Sequence, residues 1–304
     1  MTLKGFLADD LYQAKMENVG LRHRYAPSCL IVLGLEPDRL KAASESAAGM
    51  VHLELEDGMP REKKAEARLK IRDALNALDW SGKMTMVRVN PVQTGMFEGD
   101  VDVVAPARPG CIYMTKVQGP DEIVYADEVL AKVEGKYGLE AGSLKIFAYV
   151  ERIRALASVE AIASSSPRLI GLSLGSTDLG AEVGYRRSFL GQELETLYAK
   201  SRVILAAHLN GLIALDAPLI AYDDPKETYE QANWACRLGF DAKCCIFPYQ
   251  VEIVNRAFGP SAAEIEWAQR LNHLIETGVM PDEDYGFVKR ARAILAEVRA
   301  GQGQ

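Results

Sequence analysis

Eight short apolar runs recur along the chain, and between them lie stretches with helical spacing. The runs are SCLIVLG from Ser28, MVHLELED from Met50, KMTMVRVN from Lys83, CIYMTKV from Cys111, LKIFAYVE from Leu144, LIGLSLG from Leu169, LIALDAPLI from Leu212 and KCCIFP from Lys243. Nearly continuous apolar runs predict strands buried on both faces, the environment of a parallel sheet. The intervening stretches, such as EKKAEARLKIRDALNAL and DPKETYEQANWACRLGF, carry good helix formers at helical spacing. Strand and helix alternate eight times, which predicts an α/β chain folded as a (β/α)8 TIM barrel with a C-terminal helical appendage. The rival is an open doubly wound sheet. Against it, the first loop reads LEPDRLKAA without a GxGxxG fingerprint, and no Walker motif occurs.

No linker-like tract divides the 304 residues. Residues 1–260 are therefore expected to form the barrel, and 261–304 a helical appendage available to dock on a neighbouring subunit. Two helices are predicted there, AAEIEWAQRLNHLIETG and DYGFVKRARAILAEVRA. The net charge of −7 argues against a nucleic-acid or anionic-membrane surface. The N-terminus lacks a sustained apolar segment and no run reaches membrane-spanning length. Five cysteines in odd number, without CxxC spacing, predict reduced, mostly buried thiols and a cytoplasmic location.

In such a barrel the reactive face is the C-terminal end of the strands. The polar residues that close the runs are Glu56 and Asp57, Arg88 and Asn90, Lys116, Glu151, Asp178 and Asp216. Glu151 and Asp178 end successive runs and supply oxygen ligands for a hard divalent cation, with water and substrate filling the other positions. The competing reading is a structural salt bridge. Gly175, Ser176 and Thr177 let the backbone approach a bound carboxylate, with helix-start amides as donors; the same residues also make an ordinary helix cap. Arg88 presents a planar fork for a carboxylate or an enolate oxygen, and Lys116 a second positive charge. Glu56 and Asp57 are read as groups that orient metal waters or Arg88. His23, His52, His208 and His273 show no metal spacing and are read as structural.

Taken in order, LELEDGMPREKKAEAR, VRVNP, YMTKVQG, YVE, LGSTDLGAEVG, AKSRVILAAHLNGLIALDAP and LGFDAKCCIFPYQVEIVN resemble the citrate lyase beta subunit family, which includes malyl-CoA and citramalyl-CoA lyases. The resemblance implies a TIM barrel with Mg2+, or Mn2+ as the alternative ion, on Glu151 and Asp178. It also implies Arg88 as catalytic and substrate contact, and a trimeric or hexameric homo-oligomer in which C-terminal segments, here 261–304, complete neighbouring sites. Its small-molecule partners would be an acyl-CoA and an oxoacid. The acid or base of such lyases is an aspartate in the C-terminal segment, which points to Asp284, itself equally readable as a helix N-cap.

The chain departs from the family pattern at four places. Pro27 precedes Ser28 where an arginine is usual, leaving Arg22 and Arg24 as candidate contacts for coenzyme A. Leu33 stands for a proline, Glu54 for an aspartate and Phe247 for a histidine. The expected activity is a Mg2+-dependent retro-Claisen or aldol cleavage of a 3-hydroxyacyl-CoA. The alternatives are a metal-dependent aldolase on free hydroxy and oxo acids, a thioesterase or synthase outcome on the same thioester, and a noncatalytic scaffold subunit.

Overall fold

The computed structural model describes residues 25–188, 191–219, 223–281, 283 and 285–302. Eight strands close into a parallel barrel in sequence order: β1 Ser28–Leu33, β2 Met50–Glu54, β3 Met84–Val89, β4 Cys111–Met114, β5 Ile146–Val150, β6 Leu169–Leu174, β7 Ile213–Asp216 and β8 Ala242–Cys245. Every neighbouring pair is parallel, and β1 closes on β8 with Cys29 opposite Cys244. The strands are shorter than the apolar runs that predict them. The excess belongs to the loops: Pro218 ends the ladder after Asp216, and β5 stops at Val150, which leaves Glu151 just beyond it.

Alternate residues point inward, and the barrel fills with them. The interior is rich in sulfur and aromatic rings: Cys29, Met50, Met84, Met86, Cys111 and Cys244 pack with Tyr113, Phe147 and Tyr149. Polarisable, unbranched side chains suit an interior shaped by large rings. Gly171 is required by the same packing, because a Cβ there would lie 2.0 Å from Phe147 Cε2. The outward residues of the strands face helices, which accounts for runs that are apolar without alternation.

A second compact unit runs from Arg256 to Gln304, so the division falls inside helix Pro248–Phe258 rather than after residue 260. Helix Ala262–Glu276 begins at a capping box in which the Ser261 hydroxyl accepts from the Glu264 amide and Glu264 accepts from the Ser261 amide. Its small core joins Ala268 and Leu271 to Ala291 and Ile294 of helix Gly286–Gln302.

Candidate active site

At the C-terminal rim, the ends of β2 and β3 bring one arginine against three acids. Arg88 Nη1 donates to Glu54 Oε2 at 3.0 Å, and Nη2 donates to Glu56 Oε2 at 2.5 Å and to Asp57 Oδ2 at 3.4 Å. The guanidinium lies 5.4 Å from the centroid of the Tyr149 ring. Burial alone would lower the arginine's pKa, but Glu54, Tyr149 and Glu56 raise it, so Arg88 is a fixed cation. Glu54 is pulled below the usual carboxylate range: burial pushes it up, and Arg88 and His52 outweigh that.

Lys116 crosses from the end of β4 to the same acids. Its ammonium donates to Glu56 Oε1 at 2.5 Å and to Asp57 Oδ1 at 2.8 Å. Its backbone is in the left-handed region at φ 51, a conformation disfavoured for a lysine. That turn aims the Lys116 amide at Glu151 Oε1, 2.7 Å away. Glu151 is almost fully buried. Burial pushes its carboxyl up to about 8; Arg88 opposes the rise and Asp178 adds to it.

Asp178 sits in the first turn of helix Ser176–Val183, half-buried, and Gly175 separates this turn from β6. Gly175 is a matter of space, since a Cβ would lie 2.3 Å from Tyr149 Cε1 and 2.4 Å from Glu151 Cβ. Two buried polar atoms at the site, Arg88 Nε and Ser176 Oγ, have no hydrogen-bond partner. Unpartnered buried atoms are costly unless a ligand meets them.

The donor set fits a magnesium-type ion. Among the described residues no three His, Cys, Asp or Glu side chains form a metal cluster. Glu151 and Asp178 are two carboxylates close enough to influence each other's charge, and magnesium commonly takes one or two carboxylates and completes its shell with water and substrate oxygens. Burial chiefly raises Glu151 and Asp178 adds to the rise, a penalty on the charged form that a bound dication would offset.

The structure thus gathers Arg88, Lys116, Glu56 and Asp57 in one ionic cluster, with Glu151 tied to it through the Lys116 amide. Asp216 stands apart from that cluster: Lys243 Nζ lies 2.7 Å from Asp216 Oδ2 and Lys200 Nζ 3.2 Å from Oδ1, both ammoniums buried. Asn90 also serves the scaffold, accepting from Lys64 and donating through Nδ2 to Asp100 at 2.6 Å. Arg22, Arg24 and Asp284 lie outside the described residues. Sequence reasoning missed Glu54 as a partner of Arg88, and it missed Tyr149 and Lys64. Lys64 holds the β2 turn by donating to the Glu56 carbonyl at 2.8 Å. For Glu54 and Tyr149 a signal existed: inward positions alternate, and Glu54 and Tyr149 are two residues from Glu56 and Glu151.

A cavity of about 300 Å³ opens elsewhere on the barrel, bounded by β1, helix Pro37–Glu45 and the loop after β8. Leu30, Val32, Ala43, Ile246 and Phe247 line it, with Arg39 at its edge. It borders β1 and the loop after β8, whereas the carboxylate pair follows β5 and β6.

Residues 28–248 match the family model described as HpcH/HpaI aldolase/citrate lyase. The chain belongs to that family. It is 28% identical over 261 residues to the citrate lyase subunit beta of Leuconostoc mesenteroides subsp. cremoris, covering 86% of this chain and 84% of that protein. An L-malyl-CoA/beta-methylmalyl-CoA lyase of Cereibacter sphaeroides is 30% identical over 256 residues, covering 78% of this chain and 80% of that one. Among solved structures, the CitE protein of Mycobacterium tuberculosis, in complex with magnesium, acetoacetate and coenzyme A, superposes with a TM-score of 0.75 at 26% identity. The match covers 91% of this chain and 98% of that one.

Proposed function

We propose that this member of the family is a Mg2+-dependent carbon–carbon lyase acting on a 3-hydroxyacyl-CoA of the malyl-CoA or citramalyl-CoA type, giving a 2-oxoacid and an acyl-CoA. The observation that carries the reading is the arrangement at the rim: buried Glu151 held by the Lys116 amide at 2.7 Å, Asp178 in the first turn after β6, and Arg88 fixed by Glu54 and Glu56, with Asp178 and Arg88 both near enough to shift the Glu151 carboxyl. Relatives across this family are lyases of such thioesters, and related structures hold magnesium with coenzyme A or an oxoacid.

Glu151 and Asp178 would hold Mg2+, with Mn2+ as the alternative ion. When bound, the ion supplies positive charge to the oxygens of the oxoacid portion. Arg88, braced by Glu54 and Glu56, faces the same oxygens and stabilises charge as it develops. The amides of Gly175, Ser176 and Thr177 and the Ser176 hydroxyl offer donors to the substrate carboxylate. In cleavage a base takes the 3-hydroxyl proton and the C–C bond breaks. Its electron pair passes to the thioester as an enolate, which a proton then quenches. Asp284 is the residue assigned to that proton transfer. Lys116, Glu56 and Asp57 keep Arg88 and Glu151 in register.

The apolar cavity beside Phe247 and Arg39 is a suitable receiver for part of the coenzyme A arm, with Arg22 and Arg24 as further contacts. We place the protein in the cytoplasm as a trimer or hexamer, with the C-terminal unit serving a neighbour's site. In support of the location, Cys29, Cys111, Cys244 and Cys245 are buried thiols. A second reading, an aldolase on free hydroxy and oxo acids, draws on Phe247, which is exposed and stacked on Tyr249 where the family pattern has histidine.

The deciding experiment is cleavage of a panel of malyl-type thioesters with and without Mg2+. Metal-dependent release of acetyl-CoA or propionyl-CoA is expected, and both Glu151→Ala and Asp178→Ala should abolish it. Binding of metal and oxoacid without affinity for any thioester would give the free-acid aldolase the lead. Binding of neither would sink the site.

A further inference from the structure

Arg88 and four side chains beneath it close into a ring across β2 to β5. Glu54 Oε2 lies 3.0 Å from Arg88 Nη1 and 3.2 Å from His52 Nε2. The His52 ring meets Tyr113 edge-on at 5.1 Å, Tyr113 packs on Tyr149 at 5.2 Å, and Tyr149 lies 5.4 Å from the Arg88 guanidinium. Tyr113 is pinned in turn by a 2.5 Å hydrogen bond with Ser173 on β6. All five residues are largely or wholly buried, so none swings freely into solvent. His52 sits two residues below Glu54 on the same strand, hence on the same inward face.

His52 is unusual in this ring. Both of its nitrogens are buried, and Nε2 approaches Glu54 Oε2 at 3.2 Å. The groups facing it are Glu54 on its own strand, Arg88 from β3, Tyr113 from β4 and Cys244 from β8. Burial lowers its pKa, but Cys244 and Glu54 more than reverse that, so the imidazolium is favoured over its ordinary population. His52 on one side and Arg88 on the other hold the Glu54 carboxylate between them, and Glu54 in turn fixes one arm of Arg88.

We propose that His52 is a positioning residue for Arg88: acting through Glu54 on one side and through the Tyr113–Tyr149 pair on the other, it sets the plane in which the guanidinium meets substrate. The role rests on the reading of Arg88 as a substrate contact. His52 does not touch substrate, and its effect is therefore expected on turnover more than on binding.

The test compares wild type, His52→Phe and His52→Gln by side-chain nitrogen–proton NMR of Arg88, assigned with Arg88→Lys, and by steady-state thioester cleavage. Wild type is expected to show separate, slowly exchanging signals for the two arms of the Arg88 guanidinium. In His52→Phe these should merge into one averaged set, with kcat about tenfold lower and KM within about twofold. His52→Gln, polar and of comparable reach, should lie between the two and provides the readout if the phenylalanine variant does not fold. Unchanged Arg88 signals in a folded variant overturn the proposal, whatever happens to activity. If wild type cleaves no thioester, the functional reading fails while the Arg88 spectrum still decides the role of His52.

Discussion

Glu151 is under two opposed demands. Burial favours its neutral acid, while ligation of a cation needs the carboxylate. With the folded carboxyl at about 8 and the ordinary value at 4.5, a metal ligated by Glu151 would displace a proton at neutral pH. Mg2+ affinity is therefore expected to rise with pH, approaching about tenfold per unit below pH 8 and levelling off above it. Titration calorimetry between pH 6 and 9 checks this, and a flat profile would mean that no proton leaves Glu151 when the metal binds. The sign for stability is the reverse. A carboxyl raised in the folded state makes the metal-free protein lose stability as pH climbs from about 4.5 to about 8. Gly175 belongs to the same locus. Its replacement by alanine puts a methyl group against Tyr149 and Glu151, so Gly175→Ala should lose about 1–3 kcal/mol of stability and bind Mg2+ at least about tenfold more weakly. Thermal melts and metal titration read both effects, and wild-type affinity in the variant would show that the carboxylate does not depend on that space.

Among the elements, β7, β8 and helix Leu197–Leu209 are joined by buried charge. Asp216 accepts from Lys243 and Lys200, and Lys200 also donates to Glu193 at 3.0 Å. Such a network is costly to assemble and costlier to break, because a deletion leaves its partners buried and unpaired. Asp216→Ala is expected to destabilise the barrel by about 3–5 kcal/mol in urea unfolding at pH 7. The two lysines outweigh burial and hold Asp216 at about 2, so its contribution is present above its ordinary pKa of 3.8 and disappears as pH falls through about 2. A loss under 1 kcal/mol would mean that water reaches the pair.

This network also shows what the sequence reveals at the scale of elements. The eight strands were legible because their runs are apolar on both sides, and Arg88, Glu151 and Asp178 because they end those runs. Asp216 ends a run too, yet it turns to the lysines between barrel and helices, and only the pleat decides that. Lys116 gave no sign of its left-handed backbone, because that conformation is imposed by the loop. Glu54 and His52 read as members of an apolar run, and their contact with Arg88 comes from the register of β2 against β3, which pairs Glu54 with Arg88.

At the scale of the molecule, one helix face stays unexplained by the barrel. Tyr198, Leu205 and Leu209 lie on helix Leu197–Leu209 at spacings of seven and four residues, which puts them on one side, and each is at least 64% exposed. Between them Arg202 pairs with Glu160. A helix that is apolar toward solvent as well as toward the core is the pattern of a subunit contact. Assembly into a trimer or hexamer would bury this face, and a stable interface needs about 800 Å² from each partner, more than three side chains provide, so the contact must extend beyond the stripe. A charge at its centre should still break it, since an unpaired carboxylate buried in an apolar contact costs several kcal/mol. Leu205→Glu is therefore expected to shift the mass measured by light scattering after size exclusion from a trimer or hexamer to a monomer, with Mg2+ binding at Glu151 and Asp178 retained. If the assembly is also needed to complete the site, thioester cleavage falls with the mass. A wild-type monomer, or an unchanged mass in the variant, would rule out this face as the contact.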